Sequence, residues 1–220
     1  MKTFKQFITE STLNPVFIEE SEFVHMSANA RSLVEHGWDT EKTGTVGGSL
    51  YKGLSVTLPQ YVNSWVKIAK LGGTTPVTVK LPIGKKLIDF YKTFGSMDAY
   101  ENKAVREWAI SQGKWNSSKT IQTATYDEEG ELMGWMNEAN PLPEDETREH
   151  EGFSYDENEA IFASYIENKF TQACGVWYWD DDDAGGYSAP QGNIYTPYIT
   201  QVEFSHPSEN TLKTMNNHEW

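Results

Sequence analysis

Cysteine is nearly absent from this chain of 220 residues: Cys174 stands alone. A single thiol excludes an internal disulfide and any zinc site built from several cysteines, and it fits a reducing compartment. With no histidine near it in sequence to draw off its proton, Cys174 reads as a small buried hydrophobe. Long apolar runs are also lacking, and none approaches the ~18 residues that a membrane helix needs. Basic residues are scarce, 18 Lys and Arg against 32 Asp and Glu, for a net charge of −14. A chain so acidic is not a general nucleic-acid binder, because phosphate contacts need clustered Lys and Arg. Phosphate-loop and dinucleotide fingerprints are missing too. Leu81-Pro82-Ile83-Gly84-Lys85-Lys86 has a Gly-Lys pair but neither the upstream glycine nor the hydroxyl residue after the lysine. The histidines at 25, 36, 150, 206 and 218 show no metal-ligand spacing. No serine sits in a nucleophile elbow.

What is present argues for a folded chain. Hydrophobic residues make up 38% and aromatics 13%, enough to build a core at this length. The charge is unevenly spread. Asp127 to Glu159 holds thirteen acids and one base, Arg148, so this stretch carries −12, whereas Lys67 to Lys119 has ten bases and four acids, or +6. The first is read as a solvated acidic excursion and the second as a solvated face with some capacity for anions.

The pattern of elements predicts an α+β domain over residues 23–204. Residues 11–22 read as an extended linker and residues 205–220 as a loose tail. Glu22 to Met26 is predicted as a strand, followed by a helix through Ala30, Leu33 and Val34 that ends at His36-Gly37. Ser49 to Thr57 alternates as a strand does, and Pro59 ends it. Tyr61, Trp65, Ile68, Ala69 and Leu71 form a helical stripe. Pro76 to Leu81 is a strand signal, Lys85 to Phe94 reads as a short amphipathic helix, and Met97 to Ile110 as another. Residues 116–159 are polar and acidic, a surface excursion with at most a hairpin. A helix over Ala160 to Phe170 follows, then a strand over Gly175 to Trp179, a turn over Asp180 to Gly186, and a closing strand over Tyr195 to Phe204. Consecutive acids Asp180 to Asp183 do not alternate as calcium-loop ligands do, so no metal is expected there.

Two resemblances carry the functional expectations. In Met1-Lys2-Thr3-Phe4-Lys5-Gln6-Phe7-Ile8-Thr9-Glu10, the residues Phe4, Phe7 and Ile8 share one helical side, Lys2 and Lys5 the other, and Ile8-Thr9-Glu10 closes the segment. This resembles the capsid-targeting propeptide of internal head proteins in T-even-like bacteriophages. There a short amphipathic leader docks on the prohead core, and the prohead protease cuts after a Leu/Ile-x-Glu triplet. The resemblance implies a cut between Glu10 and Ser11, with Ile8 in the recognised triplet, packaging in the virion head and delivery into the host cytoplasm.

The second resemblance lies in the body. Phe23-Val24-His25-Met26-Ser27 precedes a helix ending in Gly37, then a Gly-rich loop, then Tyr51-Lys52-Gly53-Leu54-Ser55-Val56-Thr57, and far downstream Tyr195-Thr196-Pro197-Tyr198-Ile199-Thr200-Gln201-Val202-Glu203-Phe204. This order resembles the ADP-ribosyltransferase fold, with mixed or antiparallel sheets and flanking helices. The resemblance implies NAD as substrate and mono-ADP-ribosylation of a host protein. His25 would hold the ribose, Ser55 and Thr57 would line the nicotinamide pocket, and Tyr51 would stack on the ring. Breaking the nicotinamide–ribose bond creates a cationic sugar, so a carboxylate must stand near it. The family's late glutamate is missing between Glu167 and Glu203, which leaves Asp180 to Asp183, with Asp182 as the candidate. Two other readings remain open. One is a non-enzymatic inhibitor whose acidic surface imitates DNA and occupies a host defence or nucleoid protein. The other is a passive internal head protein.

Overall fold

The computed structural model describes residues 13–39, 53–68, 73–95, 102–114, 120–126, 132–139, 150–151, 155–182 and 187–217. They form an α+β protein with mixed and antiparallel sheets and flanking helices. Its contacts gather into two compact units. One comprises residues 15–93 with 170–220, the other residues 1–14 with 94–169. No helix among the described residues is long and apolar enough to cross a membrane.

The first unit holds two sheets. Strands β1 (Glu22–Ser27), β3 (Thr75–Lys80) and β10 (Glu203–Ser205) pair antiparallel in the order β1-β3-β10. The second sheet has the order β2-β9-β8-β4, from β2 (Gly53–Val56), β9 (Tyr187–Tyr195), β8 (Ala173–Asp182) and β4 (Lys86–Asp89). Its β4–β8 pair is parallel, and its other pairs are antiparallel. One bridge joins the sheets: the Val24 amide donates to the Thr57 carbonyl at 2.7 Å, and the Thr57 amide to the Val24 carbonyl at 2.8 Å.

Alternation along the strands decides what each face holds. Phe23, Leu54, Val56, Val79, Leu87, Trp177 and Ile194 fill one core shared by both sheets. Ala30 and Leu33 of helix α1 (Ala30–His36) pack with Val77. On the other side of β1, Val24 meets Val62 of α2 (Val62–Ile68) and Met215 of α7 (Glu209–Asn217). Helix α1 stops where the chain turns left-handed at Gly37, φ 74°, whose amide bonds the Leu33 carbonyl at 2.9 Å. Both the helix and its stop were predicted from the sequence.

Four expectations about the first unit are corrected. Lys86 to Asp89 is a strand, not part of a helix, and only Phe90–Phe94 turns helical, as α3. Leu87 and Ile88 are both fully buried, and a strand covered on both faces shows a continuous apolar run that periodicity cannot tell from a helix. The stretch from Tyr195 is not one strand. Pro197 opens a short helix, α6 (Thr196–Ile199), and only Glu203–Ser205 pairs afterwards. The tail is not loose: Ser208 receives the Thr211 amide at 3.1 Å and starts α7, which buries Met215. Part of the linker also belongs to the fold, with Phe17 bridging Ile88 at the edge of β4.

In the second unit, α4 (Lys103–Ser111) starts at Asn102, whose side chain accepts the Val105 amide at 3.2 Å. It packs on α5 (Tyr155–Lys169) through Trp108 and Tyr165, ring centroids 5.3 Å apart, and Phe94 meets Phe162 at 5.1 Å. Strands β5 (Thr120–Tyr126), β6 (Leu132–Ala139) and β7 (His150–Glu151) form an antiparallel sheet, so residues 116–159 contain more than a hairpin.

Candidate functional site

His25 and Ser55 meet where the two sheets join. The His25 Nδ1 lies 2.8 Å from the Ser55 carbonyl oxygen. A carbonyl can only accept, so Nδ1 carries the proton and donates it, and Nε2 is left with the lone pair in the neutral ring. Burial holds the His25 pKa below its ordinary value, and the bond to Ser55 works against that shift. At neutral pH the ring is therefore an uncharged imidazole of fixed tautomer. Its edge approaches Trp38, ring centroids 6.5 Å apart.

The sign of this shift gives a measurable consequence. The folded state takes up the His25 proton at lower pH than the unfolded chain, whose histidine titrates near 6.5. Stability attributable to this residue is thus complete above about pH 6.5 and is lost as pH falls from there toward the folded value. Urea unfolding between pH 7.5 and 5 is expected to show this loss, with a slope of at most ~1.4 kcal/mol per pH unit. In His25→Gln that part of the slope should vanish. An unchanged slope would mean that another group titrates.

The hydroxyls of Ser55 and Thr57 do not join His25. Leu54 and Val56 point into the core that contains Phe23, so Ser55, lying between them, points to the opposite face. His25 shares the Phe23 face, two residues along β1. Thr57 is buried, and its hydroxyl donates to the Pro190 carbonyl at 2.9 Å, which also receives Trp65 Nε1 at 3.0 Å. Both donors occur where β2 has ended, since the β2–β9 ladder stops at Val56 and Gly192. That also explains how a proline fits inside a sheet: the missing N–H of Pro190 faces the side where no strand partner remains.

Asp182 pairs with Tyr187 near the far end of the β8–β9 hairpin. Ser55 pairs with Asn193, six residues along the same strand. At ~3.4 Å per residue, that separates the Asp182 backbone from the β2 position by roughly 20 Å. Tyr51, and Ile8, Glu10 and Ser11 of the cleavage triplet and its flank, lie outside the described residues.

Three buried polar residues on the Ser55 face escaped the sequence reading. Asn193, fully buried, faces Ser55 directly. Two residues along β9, on the same face, Gln191 donates to the Tyr178 hydroxyl at 2.6 Å, and both are buried. The signal was the alternation Gln191-Gly192-Asn193, masked by Pro190, which argues against a central strand. Cys174 is buried, as its composition predicts, and burial pushes its thiol up to about 12. No group of three metal-ligating side chains occurs among the described residues.

Comparison with protein-family models, with curated proteins and with solved structures finds no match to this chain.

Proposed function

We propose that this chain is a bacteriophage internal head protein that the prohead protease cuts between Glu10 and Ser11, and that it uses NAD to modify a host protein after delivery. The observation that carries the chemical part is the fixed tautomer of His25. Its Nδ1–H is held by the Ser55 carbonyl at 2.8 Å, so Nε2 is an acceptor suited to a ribose hydroxyl. Among the described residues, contacts of the N-terminal segment with the fold include that of the Val16 amide, which bonds Thr93 Oγ1 at 2.9 Å. A cut before Ser11 leaves those contacts intact, which supports a removable leader. On this reading His25 is the ribose-binding group and Ser55 positions it through its carbonyl. Thr57 is a structural residue, and the carboxylate for transfer comes from neither β2 nor β9, because neither strand has one.

That last observation favours a second reading, in which the delivered protein binds its host target without chemistry. Labelled NAD with host lysate separates the two. Transfer of label by wild type, with a loss of at least about tenfold in His25→Ala, is the expected result for the enzyme, the size being that of one lost hydrogen bond in a polar site. Equal labelling by both proteins, or none by either, removes the transferase reading. Mass spectrometry of purified particles tests delivery: the protein should be present and begin at Ser11.

A further inference from the structure

Residues 17–21, Phe-Ile-Glu-Glu-Ser, repeat residues 7–11, Phe-Ile-Thr-Glu-Ser, ten positions later with one difference. We propose that the Glu20–Ser21 bond is a second, latent site for the same protease, kept closed because residues 16–21 are laced into the folded unit. This inference rests on the head-packaging reading above. Hydrolysis there would consume one water, leaving a carboxylate on Glu20 and an amine on Ser21.

The lacing is dense. The Val16 amide bonds Thr93 Oγ1 at 2.9 Å, and the Asp89 amide bonds the Val16 carbonyl at 2.8 Å. The Ile18 amide bonds the Leu87 carbonyl at 3.1 Å, and its side chain packs against the core that holds Leu54 and Leu87. On the far side of the bond, the Ser21 carbonyl accepts the Leu81 amide at 2.9 Å. A protease draws several residues on each side of the cleaved bond into its own groove, so all of these bonds must open first. The exposed Lys86–Glu19 pair, at 2.8 Å, adds little to that resistance. A third Leu/Ile-x-Glu triplet, Leu33-Val34-Glu35, is shut by the same logic inside α1, with Leu33 buried. Closure has a purpose on this reading. A cut after Glu20 would release the segment that lines the open edge of β4, whereas a cut after Glu10 leaves it in place.

The test uses activated prohead protease on the full-length chain and on free peptides spanning residues 3–14 and 13–24. Both peptides should be cut after their Ile-x-Glu triplet. The folded chain should be cut after Glu10 and at least about a hundredfold more slowly after Glu20, because cleavage follows the population of the opened state. Thr93→Val removes the Thr93 partner of Val16 and should raise cutting after Glu20 by about tenfold. If that variant does not fold, amide exchange at Ile18 in the wild type gives the same answer: protection supports closure, and exchange at the free-peptide rate overturns it. The proposal is also overturned if the folded chain is cut after Glu20 as fast as the peptide, or if only the peptide over residues 3–14 is cut. If neither peptide is cut, the head-packaging reading falls, and the proposal with it.

Discussion

Gly175→Ala is expected to lower the stability of the unit formed by residues 15–93 and 170–220 by about 3 kcal/mol or more. The site lies in β8, the strand that β4 and β9 flank, and β9 passes so close that a methyl group on residue 175 would overlap the Asn193 carbonyl oxygen. The same methyl would stand 2.9 Å from Leu87 Cδ2. A flexible side chain could move aside, but the carbonyl belongs to the ladder that joins β8 to β9 and cannot rotate without breaking it. Gly53, on the other flank of β9, meets the same neighbour: its added carbon would overlap Asn193 Oδ1 and the Ile194 carbonyl oxygen. Asn193 is thus inserted between two strands that each have hydrogen where other residues carry a side chain. Since whole domains are stable by only ~5–15 kcal/mol, a loss of this size removes a large part of the margin. Denaturant titration should show a lower midpoint at an unchanged slope. A midpoint within error of the wild type would refute this account of the packing around Asn193.

The sequence disclosed elements wherever a local rule and the tertiary fold agree. β1, β3 and α1 are examples, with Pro76 near the start of β3 and Gly37 at the end of α1. It failed where burial on both sides erased the pattern, as at Leu87-Ile88, and where a proline sat in a strand, as at Pro190. α7 was missed because its helical signal follows a proline and its apolar face is narrow, with Met215 as its one buried member among the described residues. The candidate site was legible only in part. The sequence order named His25 and Ser55 as partners, and the fold does bring them to 2.8 Å, but through the Ser55 carbonyl. The one-residue offset that sends the Ser55 hydroxyl to the opposite face depends on the Val24–Thr57 bridge. No spacing within either strand encodes that bridge. The Asn193 position opposite Ser55 likewise depends on register between strands 138 residues apart in the chain.

Phe23→Ala is the second large effect, expected to cost about 3–5 kcal/mol. Phe23 is 1% exposed, with its ring centroid 5.9 Å from that of Trp177. It comes from the β1 sheet, whereas Trp177, Leu54, Val56 and Ile194 come from the other, so the ring is packing that the two sheets share. Together with the Val24–Thr57 bridge and the His25–Ser55 bond, such side-chain contacts hold β1 against β2 in the described residues. Removing the ring should therefore loosen the junction on which the His25–Ser55 bond depends. That makes the pair Phe23→Ala and His25→Ala informative together. If His25 acts on a ligand, its alanine variant should unfold within about 1 kcal/mol of the wild type at pH 7.5, where the ring is uncharged in both states, and should still lose NAD-dependent labelling. Phe23→Ala should lose stability first, with labelling falling only in proportion to the folded fraction. If His25→Ala were instead as destabilised as Phe23→Ala, the imidazole would be a support of the junction, and its bond to Ser55 would be sufficient reason for its presence.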